Sequence, residues 1–215
     1  IDVLDSKLKQ FRSACFDFYY KKTLLRINKY HEKHQIKDQS SYINGVEVPS
    51  IEKMLSLIDW DCMSDGKISN FHGDLQFDNV LLKDDGDFLL LDWRQDFSGI
   101  VEYGDQYYDL AKLNGGMKVS YKLIKQDDFS FHENKSGKII IAHDTPKELL
   151  NAREIFKSFL IDKDLDVNKV EVLTSLIYLN MSPMHHEPFN HFIYNFGKLS
   201  LYKALSDQGK VYGKK

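Results

Sequence analysis

Two carboxylates and one carboxamide, Asp74, Asn79 and Asp92, stand at spacings that suit phosphoryl transfer to an alcohol. Residues 72–79 read His72-Gly73-Asp74-Leu75-Gln76-Phe77-Asp78-Asn79, and Leu89-Leu90-Leu91-Asp92-Trp93 follows. Such a transfer asks the protein for positioning, charge neutralisation and a group to accept the hydroxyl proton. Mg²⁺ is a hard ion that takes oxygen ligands and needs only one or two from protein beside the phosphates. Asn79 offers a neutral carbonyl oxygen and Asp92 an anionic one, which leaves Asp74 as the proton acceptor. The cofactors expected are therefore ATP and Mg²⁺.

The neighbouring residues explain how the three could meet. Val80-Leu81-Leu82 is a short apolar run, Lys83-Asp84-Asp85-Gly86-Asp87 is turn-like, and Phe88-Leu89-Leu90-Leu91 is a second apolar run. Asp-Gly between two such runs is a hairpin signal. A hairpin brings its start and its finish together, so Asn79 and Asp92 are expected at the open ends of paired strands, within reach of one ion. His-Gly-Asp alone would mean only a turn. The pattern His-x-Asp-x-x-x-x-Asn, with a hairpin and a strand-end Asp behind it, is the spacing of a kinase catalytic loop.

Residues 71–79, with Leu91-Asp92-Trp93 and the later Gly104-Asp105-Gln106-Tyr107-Tyr108-Asp109-Leu110-Ala111, resemble the aminoglycoside phosphotransferase and choline kinase group. More narrowly they are similar to phosphotransferase-like domains of bacterial surface-polysaccharide biosynthesis. The resemblance covers residues 71–113 and is loose elsewhere. It implies a transferase of kinase-like fold, with Asp74 as catalytic base and Asn79 and Asp92 as Mg²⁺ ligands. It also implies that His72 and Asp109 brace the loop without doing chemistry. Many members of the group carry Pro-Gly before the loop Asn, where this chain has Phe77-Asp78. Choline kinases carry a glutamate two residues after the metal Asp, where this chain has Arg94. A cation there argues against choline; it could meet a phosphate or an acidic substrate, or be an ordinary surface arginine.

A complete kinase of this kind also needs a glycine-rich loop over the phosphates and a strand lysine. The twelve glycines form neither G-x-G-x-x-G nor G-x-x-x-x-G-K-[ST]. The chain starts at Ile1 and enters a helical pattern at once, so residues 1–215 are expected to be a single C-terminal lobe. Its ATP-covering N-terminal lobe would then lie upstream or in a fused domain, and this chain alone would be weakly active.

The net charge of −3 and the interspersed Lys, Arg, Asp and Glu disfavour nucleic acid as a partner. Gly213-Lys214-Lys215 reads as a solvated tail. Cys15 and Cys62 have no metal-ligand spacing and read as small buried groups in a reducing, cytoplasmic compartment. No apolar run approaches membrane-spanning length.

The elements that must position the loop are mostly helical. Leu4, Leu8, Phe11, Cys15, Phe18 and Tyr19 recur at helical steps, and residues 3–34 read as one or two helices. Ser50 is expected to cap a helix that runs to about Gly66. A helix over 105–113 should end at Gly115-Gly116. Residues 119–126 and 138–142 alternate like two strands around a turn at 134–137. Thr145-Pro146-Lys147-Glu148 reads as a capping box for a helix to about Ile161. Two more helices cover 168–181, with one apolar side, and the segment from Pro188, where Phe189, Phe192, Ile193, Phe196, Leu199 and Tyr202 make a stripe. The fold class is thus α+β, mostly helical, with small hairpins, as suits the lower lobe of a kinase-like fold.

Met181-Ser182-Pro183-Met184-His185-His186-Glu187 holds two adjacent histidines, which point apart. A helix-boundary loop is the first reading, a lining of the substrate pocket the second, and a metal site that includes His191 the third. The function expected is transfer of a γ-phosphate to a small hydroxylated metabolite, a sugar or an amino alcohol. The alternative is a non-catalytic kinase-like binding or regulatory module. A protein-serine kinase fits less well, because His72-Gly73-Asp74 and Asp92-Trp93-Arg94 stand where His-Arg-Asp and Asp-Phe-Gly would.

Overall fold

The computed structural model describes residues 2–207; the Gly213-Lys214-Lys215 tail lies outside them. The fold is α+β and mostly helical. The chain opens with α1 (Asp2–Phe16), a π-helical turn (Asp17–Lys21) and α2 (Lys22–His34), which follow one another without a break. Then come β1 (Ser41–Ile43), β2 (Val46–Val48), α3 (Ile51–Leu55), α4 (Trp60–Ser64) and β3 (Ile68–Ser69). A 3₁₀ turn (Phe77–Asn79) leads into β4 (Val80–Leu82), β5 (Phe88–Leu90), β6 (Gly104–Asp105), α5 (Gln106–Lys118) and α6 (Tyr121–Gln126). The chain continues through β7 (Phe129–Glu133), β8 (Lys138–His143), α7 (Lys147–Asp162), α8 (Val167–Met181), a 3₁₀ turn (Ser182–Met184) and α9 (Phe189–Asp207).

Helix α8 is the centre of the core. Ten of its fifteen residues are buried, on all sides and not along one stripe, because α5, α2 and α9 all pack against it. Leu173, Leu176 and Tyr178 of α8 and Phe189 and Phe192 of α9 are among the most completely buried side chains. A four-stranded sheet in the order β2-β1-β8-β7 packs on α9; β1 runs parallel to β8, and the other pairs are antiparallel. The β1–β2 turn is Asn44-Gly45, both at positive φ, 49° and 79°. The Asn44 carboxamide also bonds the carbonyl and the amide of Ile141, which pins the parallel pair. Two small antiparallel pairs, β3–β6 and β4–β5, flank the candidate loop.

Several expectations need correction. The helix begun by Ser50 stops at Leu55, and Asp59 caps a second one by accepting the amide of Cys62. Helix α5 runs through Gly115-Gly116 to Lys118. The Gly115 carbonyl accepts a hydrogen bond from Tyr178, and Phe77 packs over Gly116, so tertiary neighbours hold the helix through both glycines. Residues 121–126 are helical because Ser120 accepts the amide of Leu123; the strand that pairs with β8 is Phe129–Glu133. Thr145 does not cap α7: Pro146 occupies the N-cap position, with no side-chain bond there. Cys15 is buried and Cys62 is exposed. Among the described residues no helix is long and apolar enough to cross a membrane.

Candidate functional site

The loop of residues 70–76 leaves β3 and returns to the 3₁₀ turn at Phe77–Asn79, while its partner strand β6 leads directly into α5. The start of α5 therefore lies beneath the loop. Asp105 caps α5 through the amide of Tyr107, and it also accepts the amide of Lys67 and the hydroxyl of Tyr19 at 2.6 Å. Burial pushes its carboxyl pKa up, against the pull of these donors.

One turn on, Asp109 accepts the backbone amides of His72, at 2.8 Å, and Gly73, at 2.7 Å. A carboxylate at a helix N-terminus that takes two amides is a strong local clamp. Asp109 thus grips the backbone of residue 72, not its ring. The His72 ring is buried against Trp93, its Nδ1 accepts the amide of Asp74, and its Nε2 has no partner. Gly73 has a φ of +80°, and a Cβ there would lie 2.6 Å from both Arg94 and Phe71. The turn therefore demands glycine both for its backbone and for its space.

Asp74 is held on both oxygens. Lys112 Nζ lies 2.6 Å from Oδ1, and Asn79 Nδ2 donates to Oδ2 at 3.2 Å and to the main-chain carbonyl at 2.9 Å. The carboxylate is about one-third exposed, open enough to meet a ligand. Asn79 is buried. Its described side-chain hydrogen bonds all run from Nδ2, which leaves Oδ1 available as a ligand. The β4–β5 hairpin forms as expected, in the register Val80↔Leu90, and the amide of Leu91 donates to the carbonyl of Asn79. Asp92, the next residue, is exposed at a φ of +56° and makes none of the described hydrogen bonds or ion pairs. A neutral carbonyl oxygen and an exposed carboxylate are the ligand types that a hard divalent cation takes, and one backbone bond and one residue link their positions in the chain.

Arg94 is also exposed; its amide donates to the His72 carbonyl, and its guanidinium lies 5.5 Å from the centre of the Phe18 ring. It lines a cleft of about 280 Å³ together with Asp74, Lys112, Lys22 and Arg26. Lys22 Nζ sits 3.8 Å over the Phe18 ring. Burial and the charges of Arg94, Arg26 and Lys112 lower its pKa to about 7. A larger cleft, about 730 Å³, opens between α7, α8 and α9 around the Lys118–Glu171 ion pair, and it includes none of the loop residues.

No family model, curated protein or solved structure matches the chain.

The second histidine region separates into two. His185 lines the cleft beside Met184, whereas His186 faces Asp127 at 3.2 Å. Glu187 and His191 meet His34, which the sequence reading did not include, with one ligand-type atom from each within 4.8 Å of the others. That group is already satisfied by protein partners. Asn190 Nδ2 donates to His34 Nε2, which turns a protonated Nδ1 toward Glu187, and Tyr30 bonds His191 Nδ1.

Sequence reasoning missed Lys112, Lys22, Arg26 and the role of Asp105. Lys112 was within reach of it: it stands three residues after Asp109 on the same helix, and such residues share a face. Lys22 and Arg26 carry no comparable signal, because the π turn before them shifts the helical phase.

Proposed function

We propose that this chain is the C-terminal lobe of a kinase-like fold and forms the catalytic half of an ATP- and Mg²⁺-dependent phosphotransferase. Its acceptor is the hydroxyl of a small metabolite, in a setting such as surface-polysaccharide biosynthesis. The observation that carries this reading is the fixed carboxylate of Asp74. It is held by Lys112 and Asn79 on a loop clamped by Asp109, and it faces a cleft large enough for a small ligand.

In this reading the acceptor hydroxyl approaches Asp74, which takes its proton as the oxygen bonds to the γ-phosphorus. The bond from that phosphorus to the β-bridging oxygen breaks, and the electron pair leaves with ADP. Lys112 and Asn79 keep the carboxylate oriented, so that little reorganisation is needed at the moment of transfer. Asn79 Oδ1 and Asp92 would hold Mg²⁺, which supplies charge neutralisation at the phosphates. An ATP-covering lobe, from a preceding segment or a fused domain, would pack on the β4–β5 hairpin. Leu82 and Phe88 there are two-thirds exposed or more, and Leu81 and Leu89 about half.

The test is a screen of hydroxylated metabolites for acceptor-dependent ATP consumption, using the protein as its gene encodes it, beside the Asp74→Asn variant. Turnover should fall by roughly two to four orders of magnitude in the variant, with folding preserved. Acceptor-independent results, or a variant within a few-fold of the parent, would favour a binding module instead.

A further inference from the structure

We propose that the acceptor is anionic: a hydroxylated metabolite, such as a sugar, that already carries a phosphate or a carboxylate. The inference rests on the phosphotransferase reading above for its word "acceptor", and on the charges of the cleft for the rest.

Four of the six charged side chains that line the cleft are cations: Lys22, Arg26, Arg94 and Lys112. Its two carboxylates are Asp74 and Asp78, and each already faces a lysine: Asp74 faces Lys112 at 2.6 Å, and Asp78 faces Lys125 at 3.7 Å. Lys22, Arg26 and Arg94 remain, and none of them has a carboxylate partner within 4 Å among the described residues. They come from two separate elements, Lys22 and Arg26 from α2 and Arg94 from the segment after β5. Burial depth matters here. Lys22 and Arg26 are half-buried, so their mutual repulsion is poorly screened. Burial first, and then the charges of Arg94, Arg26 and Lys112, lower the pKa of Lys22.

Like charges gathered in a concave site disfavour the empty protein and favour an anion that neutralises them. Guanidinium groups also match phosphate and carboxylate oxygens in a two-pronged geometry. A cationic acceptor such as an amino sugar or choline would have to displace Lys112 from Asp74 and then sit among three further cations. Lys22 and Arg26 belong to α2, and no residue of the β4–β5 hairpin lines the cleft they share with Asp74. That placement suits the acceptor better than the nucleotide.

The experiment is isothermal titration of the full chain, without nucleotide, with glucose 6-phosphate, glucuronate, glucose, glucosamine and sodium sulfate at matched ionic strength. The expected result is that one of the two anionic sugars binds at least about tenfold more tightly than glucose, and glucosamine most weakly. Loss of one charge-assisted contact corresponds to about tenfold or more in affinity. Arg26→Gln and Lys22→Met should therefore each weaken the anionic sugar by about that factor. Which sugar wins assigns phosphate or carboxylate. Equal binding of glucose or glucosamine would overturn the proposal, as would indifference to both substitutions. Sulfate binding as tightly as the sugars would mean a bare anion site. Competition by Mg-ATP would assign the cations to the nucleotide; either result overturns the proposal. The two readings fail separately: a protein, as its gene encodes it, that binds anionic sugars but never consumes ATP refutes the phosphotransferase. One that phosphorylates only neutral or cationic acceptors refutes the anionic specificity alone.

Discussion

Asp109 and Lys112 stand one turn apart on α5, and both reach the same loop, the first through its backbone and the second through its carboxylate. Asp109 takes the amides of His72 and Gly73, and Lys112 meets Asp74 at 2.6 Å. One helix thus fixes both the path of the loop and the direction in which the Asp74 carboxylate points. The helix is itself anchored by Asp105, which ties its first turn to Tyr19 and to Lys67.

Asp109→Asn tests the clamp. The amide side chain would present a donor to one of the two N–H groups and leave that buried group unpaired. Chemical unfolding should show a loss of about 1–3 kcal/mol, and turnover should fall further than the loss of folded protein explains. A variant with the parent's midpoint would show that the clamp is dispensable.

Gly73→Ala and Gly86→Ala form a matched pair, since both glycines have positive φ, 80° and 88°. Each alanine incurs the left-handed backbone cost, about 1–2 kcal/mol. At Gly86 nothing lies within 4 Å of the new Cβ, whereas at Gly73 it meets Arg94 and Phe71 at 2.6 Å. Thermal denaturation should therefore rank Gly73→Ala clearly below Gly86→Ala. The reverse order would mean that the loop can move aside.

Asp92→Asn separates metal binding from folding. Asn tolerates the left-handed conformation as Asp does, and Asp92 is exposed, without a described partner. Stability should stay within about 0.5 kcal/mol, while Mg²⁺-dependent binding of a fluorescent nucleotide is lost or shifted to much higher Mg²⁺. Stripping the ion with a chelator should reproduce the variant's behaviour in the parent. Unchanged Mg²⁺ dependence would remove Asp92 from the metal site.

Lys22 should give the cleft a pH dependence. It is faced by Arg94 and Lys112 from other elements, by Arg26 on its own helix and by Asp74 from the loop, and its pKa falls to about 7. Between about pH 7 and the unfolded value near 10.4 the unfolded chain binds more protons than the folded one, so stability should rise with pH across that window. Affinity for an anionic ligand should move the opposite way and weaken as Lys22 loses its proton. Lys22→Met should flatten both trends when unfolding and ligand titrations are repeated from about pH 6 to pH 9.

The sequence exposed the loop and its hairpin because local spacing governs them: Asp-Gly makes the turn, and the turn brings Asn79 to Leu91. It exposed the long helices through apolar periodicity. Other elements depend on partners distant in the chain. Gly115 and Gly116 look like a helix end until Tyr178 and Phe77 are seen against them. Residues 121–126 alternate like a strand, yet one hydroxyl, that of Ser120, starts a helix there. The β1–β2 hairpin carried an overlooked local signal, Asn44-Gly45, but its parallel pairing with β8 is a tertiary fact. The cationic wall was illegible for the same reason, since α2 and the segment after β5 become neighbours only through the fold.

The π turn at Asp17–Lys21 acts as a phase setter for the first helical rod. A π turn holds one residue more than the α-helix would need over the same length, and one residue is about 100° of rotation. Upstream of Lys22 the rod presents Cys15 and Tyr19 to Asp105; downstream it presents Lys22 and Arg26 to the cleft. Removing any single residue from 17–21 would let the rod run as plain α-helix with nearly the same helical content. It would also rotate the face that carries Cys15 by about 100° relative to the face that carries Lys22 and Arg26. A change of length is therefore costly at a place where the helix looks uninterrupted.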